Sequence, residues 1–326
     1  MRYTASEKME IIQLVEASHL PLKRTLEQLS ITRSTWYNWY ERFLDGGIEG
    51  LEDQKPTPKS VWNKISAPVR EAVIKLALDE TELSPRELAV TFTERQNSYI
   101  SESSVCRILK AAGLITSPAF ILMKAADKFQ NPTTAINQLW QTDFTYLKVI
   151  GWGWFYLSTI LDDYSRYVVA WKLCTGMTSK DTADMLELAL SKTGFDNVKV
   201  RNRPRLLSDN GPSYVSSELA DWLKEHGIEH TRGRPHPQTQ GKIERWHRSL
   251  KNQILLENYY LSGELKLRIE EFITYYNTRR YHESLNNLTP EDVFLGRGNA
   301  ILEKRQTIKL TTMAKRKRLH KKAMAA

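Results

Sequence analysis

The first 50 residues carry apolar side chains at helical spacing. Met9, Ile12 and Val15 recur every three residues and, with Ile11, outline one apolar stripe. A second repeat begins after Pro21, where Leu22, Leu26 and Leu29 are spaced for one helix face. A third follows a short turn in the segment ITRSTWYNWYERF. The pattern predicts three short helices with tight connections.

The third of these helices has two distinct faces. The side chains expected to face the core are Ile31, Trp36, Trp39, Tyr40 and Phe43. Those left outside, and predicted to contact DNA, are Arg33, Ser34, Thr35, Tyr37, Asn38 and Arg42. An apolar back and a polar front are what the recognition helix of a helix-turn-helix unit requires. A small helical bundle with a solvated face is the other interpretation.

A second group of three helices is predicted after the Gly- and Pro-rich segment from Asp45 to Pro58, which is expected to be a linker. Ser84 and Pro85 have the pattern of a helix start, and Ser101 is a plausible cap for the last helix. That helix is expected to bury Val105, Ile108 and Leu109 and to present Ser103, Ser104, Arg107 and Lys110 to DNA. Two such units in series suit an elongated DNA site.

From about Gln138 the helical period gives way to runs rich in β-branched and aromatic residues. Three such runs with short breaks predict an antiparallel meander, and the later segments predict the order β-β-β-α-β-α-β-α. In a sheet of this order the first and fourth strands are natural neighbours.

Three acids stand out in this region. Asp143 interrupts the first strand in QTDFTYL, Asp209 closes the fourth in LLSDNGPSY, and Glu244 lies early in the last helix in GKIERWHRSLK. Half-buried carboxylates usually have a counter-charge, and a metal ion can supply it. Asp162 and Asp163, at a hairpin end, are interpreted as structural turn residues. His247 and Glu257 are interpreted as surface or packing residues.

Composition argues against a membrane-spanning protein, a secreted protein and a zinc-binding protein. No apolar run is long enough for a membrane-spanning helix, and the N-terminus lacks a secretory signal, so we expect a cytoplasmic protein that is nucleoid-associated when bound to DNA. The two cysteines, Cys106 and Cys174, are too few for a zinc site and are expected in the core. The net charge is +9, and nine Lys and Arg without an acid lie between Lys304 and Lys322. This tail is interpreted as a flexible phosphate-binding arm, with a merely solubilising tail as the equal alternative.

The motifs TDFTYL, DDYSRYVVAW, SDNGPSY and GKIERWHRSLK, in this order, resemble the integrase-core transposases of bacterial insertion sequences. The resemblance also covers the N-terminal helices and the closing segment YHESLNNLTPEDVF. It implies an α/β ribonuclease H-like catalytic core with N-terminal all-α helix-turn-helix domains. The 34 residues between Asp209 and Glu244 are one fewer than the usual spacing, a difference that a loop absorbs.

By resemblance, Asp143, Asp209 and Glu244 are the catalytic and metal-binding acids, and they hold two Mg²⁺ ions, with Mn²⁺ as a substitute. Such a pair of ions stabilises the attacking and leaving oxygens of a phosphodiester. Water first releases a 3′-hydroxyl at the element end, and that hydroxyl then attacks target DNA. The partners implied are double-stranded DNA, both element ends and target, and further copies of the chain in a dimer or larger assembly.

Four residues near the acids are predicted to contact DNA. Arg248 and Lys251 follow Glu244 by four and seven residues and so share its helix face. Lys251 also fills the position at which the family carries a basic residue that contacts the element end. Asn210 and Lys242 lie beside Asp209 and Glu244.

The predicted domain order contains three folded parts joined by linkers. The boundaries are a helix-turn-helix domain at 1–50, a linker at 51–65, a second such domain at 66–115, a linker at 116–135, the catalytic core at 136–285 and a C-terminal segment with the basic tail at 286–326. Two alternatives to a transposase stay open: a non-catalytic DNA-binding regulator derived from one, and a ribonuclease H-like nuclease or junction resolvase.

Overall fold

The computed structural model describes residues 3–53, 61–115, 133–195, 203–232 and 241–325. The chain divides into two compact units, residues 1–64 and 65–326. Most of the predicted second linker, at 116–135, lies outside the described residues.

The first unit is a bundle of three helices, α1 (Ala5–Ala17), α2 (Leu22–Gln28) and α3 (Arg33–Gly50). The Thr4 side chain accepts a hydrogen bond from the Glu7 amide while the Glu7 carboxylate accepts one from Thr4, which closes a capping box at the start of α1. The predicted apolar face of α3 is confirmed, since Trp36 and Trp39 are buried in a core with α1 and α2.

The predicted linker from Asp45 begins too early. Helix α3 continues to Gly50 through a kink at Gly47, where φ is +60° and ψ is −149°. Leu51 is fully buried in the first unit, and the Lys8 ammonium donates to the Leu51 carbonyl at 3.0 Å. Glycine tolerates the left-handed backbone at the kink, so the Gly-rich segment bends the helix where the sequence suggested that it ends.

The second unit opens with three more helices, α4 (Ala67–Asp79), α5 (Pro85–Gln96) and α6 (Glu102–Ala111). Both predicted caps are confirmed: Ser84 accepts from the Glu87 amide, and Ser101 accepts from the Ser104 amide. The apolar sides of all three helices share one core.

A five-stranded sheet follows, with the strand order β3-β2-β1-β4-β5. Its strands are β1 (Leu139–Val149), β2 (Gly153–Asp162), β3 (Val168–Cys174), β4 (Arg205–Ser208) and β5 (His230–Arg232). The first three form the predicted antiparallel meander, and β1 pairs in parallel with β4. The predicted sheet is therefore confirmed.

Helices cover both faces of the sheet. The remaining helices are α7 (Ser179–Thr193), α8 (Pro212–Val215), α9 (Ser217–Glu225), α10 (Gly241–Ile254), α11 (Ser262–Thr278), α12 (Pro290–Phe294) and α13 (Gly298–Ala325). One core joins the sheet to α10 and α11, and another joins it to α7 and α9. Helix α10 packs on the sheet through Ile243, Trp246 and Leu250, which fixes the helix that carries Glu244.

The basic tail is a helix, which corrects the expectation of a flexible arm. In α13, Ile308 and Thr312 are buried. The Thr312 hydroxyl accepts from the Tyr99 amide at 3.0 Å, and the Arg316 guanidinium donates to the Tyr99 carbonyl at 2.7 Å. The Arg305 guanidinium also pairs with Glu94 of α5 at 2.6 Å. Two buried side chains at a helical spacing of four are easily overlooked in a segment dominated by charge.

Within the described ranges, no helix is long and apolar enough to cross a membrane. Both cysteines are free: Cys174 is buried, and Cys106 is only partly covered.

Candidate active site

Asp143 lies within β1, and Asp209 directly follows the last residue of the neighbouring strand β4. The parallel register pairs Gln141 of β1 with Leu207 of β4, and each aspartate is two residues further along. Residues at the same register of neighbouring parallel strands point to the same face of the sheet, so this pairing brings both aspartates to one place.

Tyr214 of α8 lies beside both aspartates. Its side chain is buried, and its hydroxyl is 3.3 Å from the Thr142 hydroxyl. Burial raises the pKa of Tyr214 well above its usual value, and the negative charges of Asp143 and Asp209 raise it further. The phenol therefore stays neutral between the two acids. This role cannot be predicted from the sequence, because a tyrosine three residues after a loop glycine has many explanations.

Asp209 is shaped by the loop that follows it. Its Oδ1 accepts a hydrogen bond from the Gly211 amide at 2.9 Å. A β-carbon at position 211 would lie 3.0 Å from that oxygen, which is tighter than ordinary contact, so glycine allows the close approach. Asn210 is exposed beside the acid.

Asp143 also faces helix α10. Its Oδ2 lies 3.4 Å from Nδ1 of His247, whose side chain is buried. Glu244 precedes His247 by three residues and so shares its side of the helix, and the Glu244 side chain is exposed. The sequence predicts His247 to be a surface or packing residue; its side chain is buried, and it also contacts Asp143. The three-residue spacing from Glu244 was the available signal.

Gln141 ties the start of α10 to β1. Its Oε1 accepts from the Ile243 amide at 3.1 Å, and its Nε2 donates to Asp163 Oδ1 at 2.7 Å. The residue before Glu244 is thus bonded to the residue two before Asp143. This link brings the third acid to the strand that carries the first.

Lys242 and Asp163 complete this brace. The Lys242 ammonium contacts the Asp163 carboxylate and donates to the Asp163 carbonyl at 3.0 Å, and the Lys242 side chain is only 10% exposed. Lys242 was predicted to contact DNA; in the structure its ammonium faces this buried acid. Asp162 is bonded to Ser165 and to the Asn137 amide, in keeping with a structural role.

The other predicted DNA contacts on α10 lie at its surface. Lys251 places its ammonium 4.1 Å from the ring centroid of the exposed Tyr146, and Arg248 is exposed. The cation over Tyr146 fixes the Lys251 head group on the β1 side of the helix.

The residues predicted to read DNA in the two helical groups are mostly exposed. In α3 the exposed ones are Arg33, Ser34, Tyr37 and Asn38, and the half-buried ones are Thr35 and Arg42. In α6, Ser103, Arg107 and Lys110 are exposed, and Ser104 is half-buried. Arg42 donates to the Glu52 carbonyl, and Arg107 donates to the Ser103 carbonyl and the Ser104 hydroxyl.

The acids do not form a closed cluster. Among the residues that the structure describes, no group of three or more His, Cys, Asp or Glu is close enough to hold a metal ion. Asp143 and Asp209 meet at Tyr214, while Glu244 stands on the adjoining helix face. Their carboxylate oxygens are nevertheless the donors that hard divalent cations such as Mg²⁺ prefer.

Residues 133–237 match a family model described as an integrase core domain, and residues 226–290 match a second model of the same description. Together the two matches span residues 133–290, so this region is similar to integrase core domains. The predicted fold class and family resemblance are thereby confirmed. Residues 2–52 and 35–109 each match a homeodomain-like domain, which agrees with the helix-turn-helix prediction for the N-terminal helices.

The integrase core is similar to curated transposases of bacterial insertion sequences. The transposase for insertion sequence element IS904 of Lactococcus lactis is 29% identical over 49% of this chain and 62% of its own length. The transposase InsF for insertion sequence IS3A of Escherichia coli is 30% identical over 48% of this chain and 53% of its own length. The chain thus spans little more than half the length of these relatives.

Among solved structures, the HTLV-2 integrase catalytic core domain in complex with magnesium is 22% identical, with a TM-score of 0.40. The match covers 49% of this chain and 97% of that domain.

Proposed function

We propose that this protein is a DNA transposase, which binds the ends of a mobile element, cuts them to expose 3′-hydroxyls and joins them to target DNA. The observation that supports this most is the register that places Asp143 and Asp209 side by side on neighbouring strands, together with the Gln141–Ile243 hydrogen bond that ties the start of α10, the helix of Glu244, to β1. We infer from these two contacts that the three acids act at one site.

In this proposal Asp143, Asp209 and Glu244 are the residues that hold divalent metal, two Mg²⁺ ions with Mn²⁺ as a substitute. When bound, the metal supplies charge stabilisation for the attacking and leaving oxygens of the phosphodiester. Asp143 contacts His247 and Asp209 accepts from the Gly211 amide, and the remaining carboxylate oxygens would be the ligands that hold the metal. The buried Tyr214 hydroxyl stays protonated and adds no negative charge to the site.

The surface around the acids binds DNA in the same proposal. Lys251, held over Tyr146, contacts the element end, and Arg248 and Asn210 lie where a phosphate approaches the acids. The exposed faces of α3 and α6 read the terminal repeat. Joining two ends requires two active sites, so the working form on DNA is a dimer or a larger assembly.

The experiment is a cleavage assay on a labelled duplex that carries the element end. With Mg²⁺ the protein should produce a nick that leaves a 3′-hydroxyl, and on addition of target DNA a joined product should appear. EDTA should abolish both products, because the carboxylates then hold no cation. Cutting that persists in EDTA would exclude the proposed chemistry.

A second candidate is a DNA-binding regulator that has the transposase fold without its activity. It is favoured by one observation, that the described residues contain no assembled metal cluster. The same assay separates the two: a regulator binds the element end in EDTA and in Mg²⁺ alike and cuts it in neither.

A further inference from the structure

A cavity with a strongly cationic lining lies beside α10. It has a volume of about 610 Å³, and the side chains that line it include four arginines and a lysine against one acid, Glu283. The cations are Arg166, Lys242, Arg245, Arg248 and Arg280. A neighbouring cavity of about 630 Å³ shares Arg166, Lys242 and Arg245 with it, so the cationic surface extends beyond one pocket.

Most of this positive charge is not neutralised by protein. Asp163 pairs with Lys242, and its carbonyl accepts from the Arg166 guanidinium. In the part of the chain that the structure describes, Arg245, Arg248 and Arg280 form no ion pair with a carboxylate. Burial lowers the pKa of Arg166, while the negative charge of Asp163 raises it and the positive charge of Arg245 lowers it. Like charges held together at a partly buried site favour the binding of an anion.

His282 adds an unused hydrogen-bonding atom to the cavity wall. Its Nε2 is buried and has no hydrogen-bond partner among the described residues. Burial lowers the pKa of His282 to about 3, and Arg280, Arg166 and Arg86 contribute to the shift. The ring is therefore neutral at pH 7, and the tautomer with a proton on Nε2 can donate to an oxygen of a bound anion. The hydroxyls of Ser249 and Ser284 also line the cavity.

The position of the cavity close to the acids indicates which anion it binds. Arg245 and Arg248 come one and four residues after Glu244 on α10, and four residues of helix span about 6 Å. An anion held by Arg248 and Arg280 therefore lies close to the carboxylates. A nucleic-acid strand crossing those carboxylates carries its next phosphates into this neighbourhood.

We propose that the cationic cavity is a second phosphate-binding site, which holds the backbone of a DNA strand against Arg245 and Arg248 of α10 and the nearby Arg280. This inference rests on the proposed function only for the identity of the strand. Arginine forks bind phosphate oxygens in pairs, so the site supplies affinity and register without reading sequence.

The test is the salt dependence of DNA binding, measured by fluorescence anisotropy with a labelled duplex of random sequence in EDTA. Arg280→Gln should weaken binding roughly tenfold at low salt and lower the slope of log Kd against log salt by about one, because one phosphate contact is lost. Arg280→Lys should keep most of the slope. The control is Arg268→Gln, in α11 and outside the cavity. It should bind like the wild-type protein.

A wild-type slope in Arg280→Gln, with unchanged thermal unfolding, would overturn the inference. If Arg280→Gln does not fold, the exposed Arg245→Gln variant makes the same measurement, with the same two outcomes. A thermal-shift titration with sodium triphosphate identifies a rival occupant: stabilisation that Arg280→Gln loses, with an unaltered DNA slope, means that the cavity holds a small phosphate compound and overturns the assignment to DNA.

The measurement needs no catalysis, so its outcome is separate from that of the proposed function. A chain that never cuts DNA but loses the slope in Arg280→Gln supports the cavity and contradicts the transposase. A chain that cuts DNA and shows no change in slope supports the transposase and contradicts the phosphate site in the cavity.

Discussion

Gln141 is the residue on which the arrangement of the acids depends most. The sequence identified the three acids, because each interrupts an apolar pattern or stands in a motif. It did not identify Gln141, His247 or Tyr214, whose importance comes from contacts made across the fold. A glutamine in a strand predicts nothing until the strand is known to meet the start of α10.

Replacing Gln141 with leucine should destabilise the second unit by about 2 to 3 kcal/mol, because it leaves the Ile243 amide and one Asp163 oxygen buried without a partner. Urea unfolding followed by circular dichroism measures the change. The control is Gln253→Leu at an exposed position of α10, which should be near neutral. Equal stability of the two variants would show that the brace does not hold the helix.

His282 makes a prediction about pH. Its folded pKa of about 3 is below the usual value for histidine, so the unfolded chain takes up a proton that the folded chain does not. The contribution of the neutral ring to the free energy of unfolding is fully present above about pH 6.5. It is lost as the pH drops toward 3. Between pH 6.5 and 5, where few carboxylates titrate, His282→Asn should flatten this decline in urea unfolding. The exposed His19→Asn variant should leave it unchanged, and a wild-type decline in His282→Asn would contradict the account.

At the scale of elements, periodicity predicted most of the molecule. The six N-terminal helices, the antiparallel meander and the neighbouring positions of β1 and β4 all follow from spacing and strand order. Two elements were misjudged for physical reasons. The glycines after Asp45 kink α3 without ending it, and the many cations of α13 hide its two buried side chains, Ile308 and Thr312.

Helix α3 predicts how the first unit reads DNA. Asn38 is exposed on the face opposite the buried Trp36 and Trp39. Asn38→Ala should therefore reduce binding to the element end by about 1 to 3 kcal/mol relative to random DNA and leave thermal unfolding unchanged. Glu41→Ala, at another exposed position of α3, is the matched control. An equal loss on both DNAs would mean that Asn38 contacts no base.

Helix α13 predicts protection of the tail from proteolysis. Ile308 is 9% exposed and Leu310, on the same helix, is 61% exposed. Ile308→Ala should loosen the helix by about 2 to 4 kcal/mol and speed trypsin cleavage after the basic residues from Lys304 onward. Leu310→Ala should be cut at the wild-type rate. Rapid cleavage of the wild-type tail would show that the tail is a flexible arm, as its composition suggests.

At the scale of the whole molecule, the proposed transposase uses the helices of its N-terminal part to bind DNA and uses a cationic surface and three acids of its core to hold and cut it. The integrase core is recognisable from sequence because its motifs fall on the elements that the fold requires. The positions of the acids relative to one another are not recognisable from sequence. They depend on the hydrogen bond between β1 and α10 and on the pairing of β1 with β4.

The most direct measurement is strand cutting at the element end by Asp143→Asn, Asp209→Asn and Glu244→Gln, each compared with Glu257→Gln on an exposed acid outside the site. Each of the three variants should cut at least about a hundredfold more slowly in Mg²⁺, because a ligand charge is lost, and should bind the same DNA in EDTA as tightly as the wild-type protein. Glu257→Gln should cut normally. Wild-type cutting by any one of the three would contradict the central claim that these acids act together.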